Sequence, residues 1–153
     1  MATSQGVFSP STHQTASGRA MKTVSKLAGV PLKTTLDEVR LTQNGISPTA
    51  IESLKSIGAT MTELQWVIKP RTLAHRKSKS QCLTPDETGR WLRAAKVQAL
   101  ALEVFGSQEK AYGWLHKPRK SFDGQTAMDI IQSEAGAQLV EETLNQIDAG
   151  FFA

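Results

Sequence analysis

Cysteine is almost missing from this chain: Cys82 stands alone among 153 residues. One thiol cannot close an intramolecular disulfide and cannot make a cysteine-based zinc site, so a reducing cytoplasm is the expected compartment. No run of 18 apolar residues occurs, so no membrane-spanning segment is expected. A charged n-region followed by an apolar h-region is also missing from the N-terminus, so an ordinary secretory leader is not expected. Strand-like alternation of useful length and internal repeats are both lacking. Nor is there an HExxH, GxSxG, P-loop or GxGxxG motif. His13, His75 and His116 have no carboxylate close in sequence to orient them. An enzyme needs a nucleophile, a base or a metal held in place. None of these is legible, so the expected role is binding rather than catalysis, with no cofactor and no metal.

Charge of one sign is missing from two stretches. No Lys or Arg follows Lys120, and no acid lies between Glu63 and Asp86. Residues 1–120 hold all 18 cations and 8 of the 14 acids, while residues 121–153 hold the other 6. The formal net charge of +4 conceals this split. Such asymmetry suggests two jobs, a basic front for a polyanion and an acidic end for a different partner. The plainer alternative is that the acidic helices merely face solvent.

What is present reads as helices. Residues 1–18 carry no Lys, Arg, Asp or Glu and show no apolar period; a disordered tail through about residue 20 is expected. Val24, Leu27 and Ala28 are helically spaced and stop at Gly29. Leu36, Val39 and Arg40 predict a second helix ending near Asn44-Gly45. Ser47-Pro48 opens a third, with Ile51, Leu54 and Ile57 inward. Thr60 and Glu63 form a capping-box pattern, and Met61, Leu64 and Val67 recur every third residue. Pro70 breaks that segment, and Arg71–Lys79 resumes as a short basic helix. Thr84-Pro85-Asp86-Glu87 combines cap, first-turn proline and capping-box acid. It predicts a long helix to Phe105, apolar on two sides and therefore central. Ser107 opens a helix through Ala111, Trp114 and Leu115. A short helix follows at Thr126–Gln132. Ser133 starts the last one, with Leu139, Val140, Leu144 and Ile147 inward until Gly150. The predicted fold is all-α, with a tail over 1–20, a DNA-binding helix-turn-helix region over 21–82 and a partner-binding domain over 83–153.

A short helix, a tight break and a basic helix make a helix-turn-helix candidate. Lys69, Arg71, Thr72, His75, Arg76, Lys77 and Lys79 are its candidate DNA contacts, with Leu73 and Ala74 turned inward. Such a helix must offer cations to phosphates and short polar groups to base edges. Its turn lacks the usual glycine and has Val67-Ile68-Lys69-Pro70. An ordinary solvated basic helix is the alternative. At the other end, Phe151 and Phe152 place two rings near the chain terminus, as an interface or folded onto the core. Acid pairs such as Glu141-Glu142 read as solvated surface.

Ile68-Lys69-Pro70-Arg71-Thr72-Leu73-Ala74-His75-Arg76 resembles the IxxRTLxHR segment of Xre/MbcA/ParS-type antitoxins. Leu83-Thr84-Pro85-Asp86-Glu87, with Arg90 and Leu92, resembles their next helix. Glu103-Val104-Phe105-Gly106, Lys110-Ala111, Trp114-Leu115, Pro118, Gly124 and Glu134-Ala135-Gly136, with Val140, Leu144, Ile147 and Gly150, resemble their C-terminal toxin-binding domain. The resemblance covers about residues 45–153. Ala127, where the family often has proline, and Gln132-Ser133, in place of a hydrophobic–Thr pair, depart from the pattern at helix starts. The resemblance implies a bacterial, cytoplasmic type II antitoxin. The implied partners are a RES-domain toxin that consumes NAD or transfers ADP-ribose, operator DNA, and a second copy in a homodimer. The toxin-facing residues are then expected at Trp114, Phe122, Asp148, Gly150, Phe151 and Phe152. A stand-alone helix-turn-helix regulator, or a binding module whose basic helix is only surface, are the other classes that fit the residues.

Overall fold

The computed structural model describes residues 14–151, and these form helices and turns with no strand among them. In chain order the α-helices are α1 (Ala16–Ala28), α2 (Thr35–Asn44), α3 (Thr49–Ser53), α4 (Pro70–Ser78), α5 (Pro85–Phe105), α6 (Gln108–Leu115), α7 (Ala127–Ile130) and α8 (Glu134–Asp148). Short 3-10 turns occupy Leu54–Ile57, Glu63–Trp66 and Lys120–Phe122. No helix among the described residues is long and apolar enough to cross a membrane.

The centre is α5, and its start follows directly from four residues. Thr84 Oγ1 accepts the Glu87 N–H at 3.2 Å, and Glu87 Oε1 accepts the Thr84 N–H at 2.9 Å. Pro85 fills the first turn, where a missing N–H costs nothing. Gly106, at φ 74°, ends the helix in the left-handed conformation. Between them Trp91, Ala94, Ala95, Val97, Ala99 and Ala101 are fully enclosed. The many alanines let neighbouring helices approach closely. α1, α2, α6 and α8 all pack against α5. The indole of Trp91 donates to the Ala50 carbonyl at 2.8 Å, which ties α3 to the same helix.

One apolar cluster runs from Ala16 to Leu144. The division expected at residues 82–83 falls within this cluster, to which both of its parts contribute. The expected tail also ends earlier than residue 20. Thr15 caps α1 by accepting the Gly18 N–H, and Ala16 and Ala20 are buried. Small side chains carry that packing, so hydropathy alone does not reveal it. Residues 1–13 lie outside the described residues.

Three local expectations change. Glu63–Trp66 is a 3-10 turn rather than an α-helix, although the Thr60–Glu63 reciprocal bonds form at 3.3 Å each. The three-residue recurrence of Met61, Leu64 and Val67 is the 3-10 period itself. Leu139 points to solvent at 42% exposure, because the buried stripe of α8 is Ala137, Val140 and Leu144. Ala74 is exposed, since only Leu73 on α4 reaches the core.

Gly136 is required by contact. A Cβ there would collide with the Ile130 carbonyl, where the first turn of α8 meets the end of α7. Gly136→Ala should lower stability by about 1–3 kcal/mol, the usual cost of forcing an extra methyl into packed surroundings. A thermal melt of the variant beside the parent chain checks this.

Candidate functional site

Two surfaces carry the candidate residues. The first is α4. Lys69 is its N-cap in an extended conformation (φ −69°, ψ 143°), which Pro70 imposes on the residue before it. Leu73 anchors the helix in the core. Positions 71, 75 and 79 recur every four residues on the side away from Leu73. Arg71, His75 and Lys79 are all exposed there, with Thr72 half-buried beside them.

The remaining two cations of α4 are paired with acids of the same chain. They flank Leu73 around the helix, Arg76 half-buried and Lys77 exposed. Arg76 Nε donates to Glu87 Oε1 at 3.2 Å, and a terminal nitrogen donates to Oε2 at 3.4 Å. Lys77 pairs with Glu52 of α3. Of the seven predicted contacts, Lys69, Arg71, His75, Lys77 and Lys79 are exposed, and Lys77 among them is ion-paired. Among the described residues, Lys69, Arg71 and Lys79 have no acidic partner.

Glu87 is the residue sequence reasoning undervalued. The capping-box pattern reveals its backbone role, but its bond to Arg76 spans two helices and has no local signature. Burial alone would raise its pKa. The Thr84 backbone N–H and the Arg76 guanidinium outweigh that and hold the carboxyl below the ordinary glutamate range.

His116 also gains a carboxylate that its sequence neighbourhood lacks. Its Nε2 meets Glu63, and its Nδ1 lies 2.7 Å from the Tyr112 carbonyl. Tyr112 stacks on the ring at 3.8 Å. Both ring nitrogens are therefore engaged with acceptors, and the contact joins α6 to the Glu63–Trp66 turn.

The second surface is the acidic end. Trp114 and Phe122 do not belong to it, contrary to expectation. Trp114 is 9% exposed and Phe122 3%. Trp114 packs on Phe105 with ring centroids 5.7 Å apart, Phe122 meets it edge-on at 6.1 Å, and the Arg119 guanidinium covers it at 4.5 Å. Trp114 is buried where α6 packs on the end of α5, and Phe122 covers it from the Lys120–Phe122 turn. Glu141 is likewise not simple surface. It sits half-buried near Lys96 and Glu38, and burial foremost raises its pKa, with Glu38 adding to the rise and Lys96 opposing it. Its neighbour Glu142 is exposed.

Asp148, Gly150 and Phe151 do lie at the open end of α8. Gly150 adopts φ 82° and donates to the Ile147 carbonyl at 3.0 Å. The Phe151 N–H donates to Gln146 at 3.0 Å. Together these bonds form a Schellman motif. The hydrophobic contact that usually accompanies it is missing, because the facing helix positions are Gln146 and Asn145. Phe151 therefore stands 79% exposed on a fixed backbone. Phe152 lies outside the described residues.

Comparison with known proteins places this geometry. The profile described as "Antitoxin Xre/MbcA/ParS C-terminal toxin-binding domain" matches residues 100–150. The "Antitoxin Xre" of Pseudomonas putida is 38% identical over 109 residues, covering 71% of this chain and 69% of the relative. This chain belongs to the Xre antitoxin family. The "Antitoxin Xre" of Yersinia enterocolitica is 28% identical over 87 residues, covering 56% of this chain and 59% of that protein. The toxin-binding domain of this Xre family member therefore comprises the end of α5, α6, α7 and α8.

The lowered Glu87 pKa has a signed consequence. Its stabilisation is present above the unfolded value and disappears as pH falls through the lower folded value. Glu87→Gln should flatten the loss of stability below about pH 4.5 relative to the parent chain. Melting temperatures across an acid series test this.

Proposed function

We propose that this chain neutralises a RES-domain toxin, one that consumes NAD or transfers ADP-ribose, by placing the end of α8 in its active-site cleft. The observation that carries this reading is Phe151: an apolar ring held in the open by the Schellman bonds, with no partner on its own helix. Exposed apolar groups on rigid backbone suit an interface better than solvent. A cleft for a dinucleotide polyanion is lined with cations, and the segment beyond Lys120 brings acids and no cation towards it. Asp148 and Phe151 are the contacts assigned here, and Phe152 joins them by its position in sequence.

The same chain binds its own operator through α4, as a homodimer on a two-fold site, and so represses its transcription. Arg71, His75 and Lys79 form the DNA-facing row, with Lys69 at its start. We assign a binding role and no catalytic one.

Removing Gly150–Ala153 should release toxin activity in cells expressing both proteins while leaving operator binding unchanged. Full neutralisation by the shortened chain would refute the plug. Failure of the full-length chain to co-purify with such a toxin would favour a stand-alone regulator. For DNA, Arg71→Ala should weaken operator binding and reduce the slope of log affinity against log salt by about one. Titrations at several salt concentrations read both quantities.

A further inference from the structure

We propose that Arg76 aims the basic face of α4 and does not itself neutralise a phosphate. This assignment rests on the DNA reading of α4 given above. Each of the three nitrogens of the guanidinium makes a hydrogen bond within the chain. Nε and one terminal nitrogen meet the two oxygens of Glu87 at 3.2 and 3.4 Å, and the other terminal nitrogen meets Gln81 Oε1 at 3.3 Å. The Arg76 side chain is 22% exposed and that of Glu87 9%. A planar fork on a planar carboxylate fixes orientation as well as distance. The carboxylate is itself anchored, because Glu87 Oε1 also accepts the Thr84 N–H in the first turn of α5. The basic helix is thereby registered in rotation against the central helix of the molecule.

That rotation decides which residues meet DNA. Arg71, His75 and Lys79 form a row only while Leu73 and Arg76 hold the opposite side inward. Diverting Arg76 to a phosphate would strand the buried Glu87 carboxylate without its cation, a costly state. A lysine in its place keeps the charge but offers a single point contact, which does not set rotation.

The test uses the full chain and its upstream DNA, with binding measured by fluorescence anisotropy across a salt series and folding checked by thermal melts. Arg76→Lys and Glu87→Gln should each weaken binding on the order of tenfold while leaving the salt slope at the parent value. The Glu87→Gln result is the sharper one, because removing an acid near DNA would by simple electrostatics tighten binding. Arg76→Gln added to Glu87→Gln should cost nothing more in DNA affinity. A variant that lost stability alone would show a lower melting temperature with unchanged affinity of the folded protein, and that result would overturn the assignment. So would normal binding by Arg76→Lys, or a slope reduced by about one when Arg76→Gln is made in either background. If Arg76→Gln does not fold, Arg76→Lys and Glu87→Gln decide the matter. Absence of salt-dependent binding by the parent chain would overturn the DNA reading itself, and it is visible before any variant is made.

Discussion

Burial of α5 on several sides at once is the constraint that organises this protein. An amphipathic helix needs one partner, whereas α5 is apolar around much of its circumference and must be enclosed. Its alanines leave room for backbones to approach, and Trp91 fills the space beneath α3. α1 from the N-terminal half and α8 from the C-terminal half are recruited to the same helix. The surface that carries the basic row and the surface that carries Phe151 are therefore built on one core.

Electrostatics follows the same frame. Both ends of the chain spend some charge on the fold and leave the rest to solvent. On α4 the spent charges are Arg76 and Lys77, held by Glu87 and Glu52. Arg93 reaches the Gln132 carbonyl at 3.0 Å and lies over the Trp66 ring at 5.5 Å, joining α5 to the start of α8 and to the turn before α4. In the acidic half, Glu141 is half-buried beside the Lys96–Glu38 pair, while Glu142 and Asp148 stay outside. Gross charge counts therefore overstate what each surface presents, and pairing across helices sets the remainder.

Much of the architecture is legible in the chain because it depends on neighbours. Caps act over three residues, so Thr84, Ser107, Thr126 and Ser133 mark helix starts wherever they occur. Proline and glycine act on their own dihedrals, so Pro70, Pro85, Gly106 and Gly150 mark breaks and ends equally well. The charge split at Lys120 and the family pattern around Arg71–Arg76 are also linear properties. Those features determined an all-helical chain with a basic helix after a proline break and an acidic last helix.

Side-chain direction and pairing were decided only by tertiary structure. Helical spacing puts Arg71 and Arg76 on equal terms until Glu87 arrives from another helix. Trp114 and Phe122 look like available rings until α6 closes on α5. Leu139 looks like core until the stripe through Ala137, Val140 and Leu144 shows which face of α8 is covered. The physical reason is common to all three. A local pattern fixes how residues are arranged around their own axis, but the rotation of that axis against the rest of the molecule is set by contacts between residues distant in sequence.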